Sequence, residues 1–234
     1  MKNSIIIGLL FLGMMLMNGC EKRLTKEGLL KIISPVHGDV EKILSDREVE
    51  QIIEDVQKFE VEPATSEEVA VIETTLGTIK FVFLPNVAPN HCTNFKRLAN
   101  CGFFNGTTFH RVIPHFMIQG GDILSRDSNR LNDGTGGPGF SVDAEFNSVP
   151  HERGIVSMAR AQDPNSAGSQ FFICVADCPQ LNNQYSVFGR VIAGMDVVDK
   201  IVNVDRDPMS NNPYERVIMK RVYVIPKELD VVKK

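Results

Sequence analysis

Phe109-His110-Arg111-Val112-Ile113-Pro114-His115-Phe116-Met117-Ile118-Gln119-Gly120-Gly121-Asp122 is the densest stretch of the 234-residue chain. It carries one cation, one amide and a run of apolar side chains. In an extended strand Arg111 and Gln119 share parity, so both line one face provided Pro114 does not break the strand. Phe116 and Met117 would then supply an apolar wall beside a guanidinium and an amide. Such a wall suits a neutral peptide, because two aimed polar groups orient a ligand while aromatic area holds it. The competing reading is a core strand with one exposed arginine, and these residues alone do not separate the two.

Working outward, the pattern is one of short strands. Val69-Ala70-Val71-Ile72-Glu73-Thr74 and Thr78-Ile79-Lys80-Phe81-Val82-Phe83 flank Leu76-Gly77 and predict a β-hairpin. A helix is expected from about Asn90 to Asn100, just after Pro89, and another over Met195–Val202. Strand-like runs separated by Gly, Asn and Asp continue to Gly189, and Val217–Ile225 reads as a last strand. Many short strands with few helices argue for a mostly β barrel or sandwich. The Gly-rich segment Gly134–Gly139 lacks the GK[ST] ending of a phosphate loop and opens no helix.

The N-terminal part is different in kind. Lys2 precedes an apolar run from Ile5 to Leu16, too short to span a bilayer and in the range of a signal peptide. Leu16-Met17-Asn18-Gly19-Cys20 resembles a bacterial lipobox, with Met17 where Leu is usual. Residues 1–19 are therefore expected to be a lipoprotein leader and Cys20 the lipid attachment site. An uncleaved anchor and ordinary secretion are the competing readings. Residues 20–68 form a helical extension and linker. Leu24, Leu29-Leu30 and Ile32-Ile33 give a first helix. Ser45 and Glu48 make a capping box ahead of a second, with Val49, Ile52, Ile53, Val56 and Phe59 on one face. That face either packs within the chain or pairs two copies as a homodimer through residues 45–59. Glu60–Glu68, with Pro63, reads as a linker.

Charge and cysteines narrow the function. The net charge is −4, and loss of Lys2 with the leader makes it −5, so there is no electrostatic case for nucleic acid. With Cys20 lipidated, four cysteines remain. Cys92 and Cys101 are too far apart along a helix to bridge, whereas Cys174 and Cys178 would need a turn. Buried free thiols are favoured, and no cysteine or histidine spacing indicates a metal.

The opening stretch resembles the first signature of the cyclophilins almost residue for residue. Ser157-Met158-Ala159-Arg160-Ala161 with Asp163-Pro164-Asn165-Ser166-Ala167-Gly168-Ser169-Gln170-Phe171-Phe172-Ile173 resembles the second. Tyr185-Ser186-Val187-Phe188-Gly189-Arg190-Val191 resembles the segment after it. The resemblance runs from about Val69 to Ile225. It implies a closed eight-stranded antiparallel β-barrel with two capping helices over residues 69–226, a proline groove on its outside, and a tail at 227–234. It also implies peptidyl-prolyl cis–trans isomerase activity on proline-containing polypeptides, with no cofactor and no metal. With the leader, that places the protein in the bacterial cell envelope, held at a membrane through its lipid. A proline-binding chaperone or envelope interaction module with dispensable catalysis is the alternative.

Carried over by position, Arg111 matches the catalytic arginine, and Phe116, Met117 and Phe172 the hydrophobic proline pocket. Gln119 and Gln170 match polar groups near it, and Ala159, Arg160 and Ala161 the strand that holds substrate backbone. Leu181 and Tyr185 match the far wall, and Gly134-Thr135-Gly136 border a neighbouring pocket. Gln180 stands where many members carry a tryptophan whose indole N–H binds the drug cyclosporin, so weak cyclosporin binding is expected. Extra length at Ile123–Asn132 suggests a longer surface loop. Isomerisation transfers no proton to solvent, so His110, His115 and His91 are read as hydrogen-bonded structural residues rather than acids or bases.

Overall fold

The structure is a computed structural model in which residues 40–230 are described. The leader, Cys20 and the first expected helix of the extension lie outside the described residues. Eight strands form one sheet in the order β3-β4-β6-β5-β7-β2-β1-β8, every pair antiparallel. The strands are β1 Glu68–Thr74, β2 Gly77–Phe83, β3 Arg111–Ile113, β4 Met117–Gly120, β5 Ile155–Met158, β6 Phe171–Cys174, β7 Val187–Ala193 and β8 Met219–Pro226. The expected barrel is closed less completely than the resemblance implied. Its end strands β3 and β8 are not ladder partners. Instead Thr108 forms single bridges to Asp122 and Ile218, and the Phe109 N–H donates to the Val217 carbonyl at 3.0 Å.

The β1–β2 hairpin forms where the alternation predicted it. Thr74 Oγ1 closes the turn by donating to the Gly77 carbonyl at 2.7 Å. Gly77 has φ +137°, and a Cβ there would fall 2.6 Å from Val197 Cγ2, so only glycine lets the turn meet the helix beneath it. That helix is one of four among the described residues: α1 Asp46–Lys58, α2 Pro89–Asn100, α3 Met195–Val202 and α4 Lys227–Asp230. Helix α3 turns Val197, Val198, Ile201 and Val202 into the core. Pro89 starts α2 with its missing N–H where none is needed. The next two N–H groups, of Asn90 and His91, donate to the distant Glu145 carboxylate at 3.1 and 3.0 Å, a capping contact that also suits the helix dipole.

Helix α2 delivers Phe95 to the centre of the core. Its ring lies 4.9–6.1 Å from those of Phe104, Phe81, Phe171, Phe188 and Phe83, mostly edge to face. Helix α1 joins the same core. Its capping box forms, the Ser45 N–H donating to Glu48 at 3.0 Å, and Leu44, Val49 and Val56 are buried among the residues that surround Phe95. Of the apolar face offered as a dimerisation surface, Val49 and Val56 are thus buried in their own chain, while Ile52, Ile53 and Phe59 are half-buried. The segment read as a linker is also tied down, since Ala64 is buried and its N–H donates to Thr93 Oγ1 at 3.1 Å. The stretch Ile123–Asn132 is not merely a surface loop: Ile123 and Ser125 are buried in the short 3-10 helix Ile123–Arg126.

Candidate active site

Pro114 does break the opening stretch, and the break is what builds the site. The chain turns at Pro114-His115-Phe116, with His115 exposed at φ +60°, and returns as β4. Arg111 and Gln119 become cross-strand partners rather than neighbours along one strand. The register continues across the sheet, Gln119 opposite Phe172 on β6 and Phe172 opposite Ser157 on β5. Directly opposed residues share a face, so arginine, amide and aromatic ring stand in one row.

The row lines a cavity of about 180 Å³ together with Phe116, Met117, Ala159, Arg160, Leu181 and Tyr185. Every residue the resemblance assigned to substrate or catalysis is there except Ala161 and Gln170. Those two line an adjoining cavity with Gly134, Thr135 and Gly136. Met117 and Phe172 are buried; Arg111, Phe116 and Gln119 are half-buried and reach the opening. A polar relay fixes the guanidinium. Arg111 Nη1 donates to Gln119 Oε1 at 3.2 Å, and Gln119 Nε2 donates to Gln170 Oε1 at 3.0 Å. Gln170 Nε2 in turn reaches the carbonyls of Gly134 and Gly136, each at 2.9 Å. On the opposite rim the Arg160 guanidinium lies 4.8 Å over the Tyr185 ring and donates to the carbonyls of Gln184 and Ala161.

One residue escaped the sequence reading. His151 is buried behind the pocket, its ring stacked on Phe172 at 5.9 Å. Its Nε2 pairs with Ser157 Oγ at 3.1 Å and its Nδ1 with Asn182 Oδ1 at 3.2 Å. Burial pushes its pKa below the ordinary 6.5. Nothing local marks it, because Asn182 and Phe172 are distant in sequence. His91 and His110 are both buried in the interior. Burial lowers the pKa of each, opposed at His91 by Glu145 and at His110 by Asp122 and Asp133. Exposed His115 is a turn residue and not part of the interior.

The site holds no activated nucleophile. Cys92, Cys101, Cys174 and Cys178 are free thiols, and burial raises the pKa of each. Among the described residues no group of three or more His, Cys, Asp or Glu is arranged to hold a metal ion. What the pocket offers is an apolar surface of Phe116, Met117, Phe172 and Leu181 between two positioned guanidinium groups, Arg111 and Arg160.

The chain is similar to known proteins. The family described as cyclophilin type peptidyl-prolyl cis-trans isomerase/CLD matches residues 69–224. A probable peptidyl-prolyl cis-trans isomerase of Brucella abortus is 44% identical over 143 residues, covering 59% of this chain and 73% of the relative. Peptidyl-prolyl cis-trans isomerase A of Dickeya dadantii is 37% identical over 172 residues, covering 70% of this chain and 88% of the relative. A Cryptosporidium parvum cyclophilin, solved in the presence of the dipeptide Ala-Pro, superposes with a TM-score of 0.61 at 35% identity. It covers 67% of this chain and 98% of its own. With this family match over residues 69–224 and these relatives, the chain belongs to the cyclophilin-type peptidyl-prolyl cis–trans isomerases.

Proposed function

We propose that the protein accelerates X–Pro isomerisation in exported polypeptides, with Arg111 stabilising the twisted amide, while a lipid on Cys20 tethers it to the bacterial cell envelope. The observation that carries the catalytic part is the Arg111–Gln119 hydrogen bond at the mouth of the Phe116, Met117 and Phe172 cleft. The proline dipeptide present with the Cryptosporidium relative supports a proline-containing ligand here.

The chemistry follows from the amide. Resonance gives the peptide bond a rotation barrier of about 18–20 kcal/mol, and X–Pro bonds exchange over tens to hundreds of seconds. Twisting removes the resonance, so the prolyl nitrogen becomes pyramidal and regains its lone pair. A guanidinium N–H aimed at that nitrogen, or at the adjacent carbonyl, bonds more strongly to the twisted form than to the planar one. Only such a difference lowers the barrier, by a factor of ten for about every 1.36 kcal/mol. The apolar cleft excludes water and strengthens the bond, and the glutamine relay holds the donor in place beforehand. No bond breaks, so neither nucleophile nor proton donor is required.

A protease-coupled isomerisation assay on the full chain and on Arg111→Ala tests the mechanism. The variant is expected to lose about 10²-fold in kcat/KM, the scale for removing one preorganised transition-state donor. Equal, accelerated rates would remove Arg111 from catalysis, whereas rates no faster than uncatalysed exchange in both would leave a proline-binding module. The leader supports the anchor: a short apolar run closing on Asn18-Gly19-Cys20. A Cys20→Ser variant is expected to leave the membrane fraction; retention there would point to an uncleaved leader.

A further inference from the structure

Helix α1 lies outside the residues that match the family, 69–224, yet it reaches the substrate groove. Ile53 lines the cavity next to the proline pocket, a space of about 610 Å³ that shares Gln119, Ala159 and Arg160 with it. The two cavities are therefore one continuous groove. Contact of α1 with its rim depends on Gly139, at φ +80°. A Cβ there would fall 2.8 Å from Ile53 Cγ2 and 2.7 Å from Gln57 Nε2. The helix is also fixed from below, by buried Val49 and Val56, and just ahead of it by the Leu44 N–H donating to the Arg126 carbonyl at 2.9 Å. The wall is thus a built part of the groove.

Ile53, Pro138 and Phe140 form the apolar side of this cavity, Thr135, Ser141, Ser166 and Gln170 add uncharged polar groups, and no carboxylate lines the space. The one charged lining group, Arg160, is already stacked on Tyr185 and bonded to carbonyls. A charged side chain entering there would lose water and meet no free opposite charge, whereas an apolar one gains contact area against Ile53, Pro138 and Phe140. We infer that helix α1 is a substrate-selecting wall, Ile53 favouring an uncharged, apolar side chain on a residue flanking the prolyl bond. The inference rests on the proline site proposed above.

The test measures kcat/KM of the full chain on prolyl peptides carrying Leu, Gln, Lys or Glu at each position flanking the proline. At one position the wild type is expected to prefer Leu, and the preference to lie in KM, because the contact is remote from the twisting bond. Ile53→Glu should raise the Lys peptide about fivefold there, and Ile53→Lys the Glu peptide similarly, as facing charges do at an interface rim. Ile53→Ala, which keeps the helix apolar, should weaken the Leu preference even if the charged variants fold poorly. Identical preferences in the wild type and all folded variants would overturn the inference. A wild type that isomerises none of the peptides would instead remove the catalytic reading beneath it.

Discussion

Arg111 and Gln119 face each other across the β3–β4 hairpin, and the Arg111 guanidinium donates to the Gln119 amide oxygen at 3.2 Å. Gln119 is held from behind by Gln170, so the donor is aimed before substrate arrives. Gln119→Ala removes the aim and keeps the charge. Its kcat/KM is expected to fall about tenfold, less than for Arg111→Ala, with the unfolding midpoint nearly unchanged. A Gln119→Ala enzyme with wild-type kcat/KM would show that the relay has no part in catalysis.

Gln180 makes a second prediction. It is exposed on the turn Pro179–Leu181 and does not line the proline cavity. Cyclosporin inhibition is therefore expected to be weak, since no indole N–H stands there. Gln180→Trp should tighten inhibition about tenfold, the worth of one good hydrogen bond, and leave turnover alone. Nanomolar inhibition of the unaltered protein would contradict this.

Much of the site was legible because its chemistry is packed into short segments. Arg111 through Gln119 span one hairpin, and a single strand, β6, carries Phe172 just after Gln170. Parity placed Arg111 and Gln119 on one face for the wrong reason. The strand breaks at Pro114, and hairpin register brings them together. What stayed hidden depends on segments meeting only in the folded chain. Glu145 capping α2, His151 against Phe172, and Ile53 against Gly139 leave no periodicity or spacing to read. Barrel closure was overread because single bridges at Thr108 stand where a full ladder was expected.

The buried histidines predict acid sensitivity. In the folded protein His91, His110 and His151 all have pKa values below the ordinary 6.5, with burial the main cause. The unfolded chain therefore takes up protons first. Stability is complete above about pH 6.5 and falls as pH drops through the lower folded values. Urea midpoints measured from pH about 7.5 down to about 5 should decline, and His91→Asn with His110→Asn should flatten the decline. A midpoint that rises on acidification over this range would contradict the assignment.

Helix α1 is an integral part of the core. Val56 is fully buried, in the same cluster as Phe95. Val56→Ala is expected to cost about 2 kcal/mol, from lost burial and the cavity left behind. Val56→Asp should cost more, because it buries a carboxylate with no partner. Exposed Glu54, on the opposite face of the same helix, serves as the control, and Glu54→Ala should stay within about 0.5 kcal/mol. The pair also separates two uses of the face. If α1 packs within its own chain, Val56→Asp lowers the urea midpoint and leaves the molecular mass unchanged. If the face joined two copies, the mass would halve while the midpoint of the separated chain held.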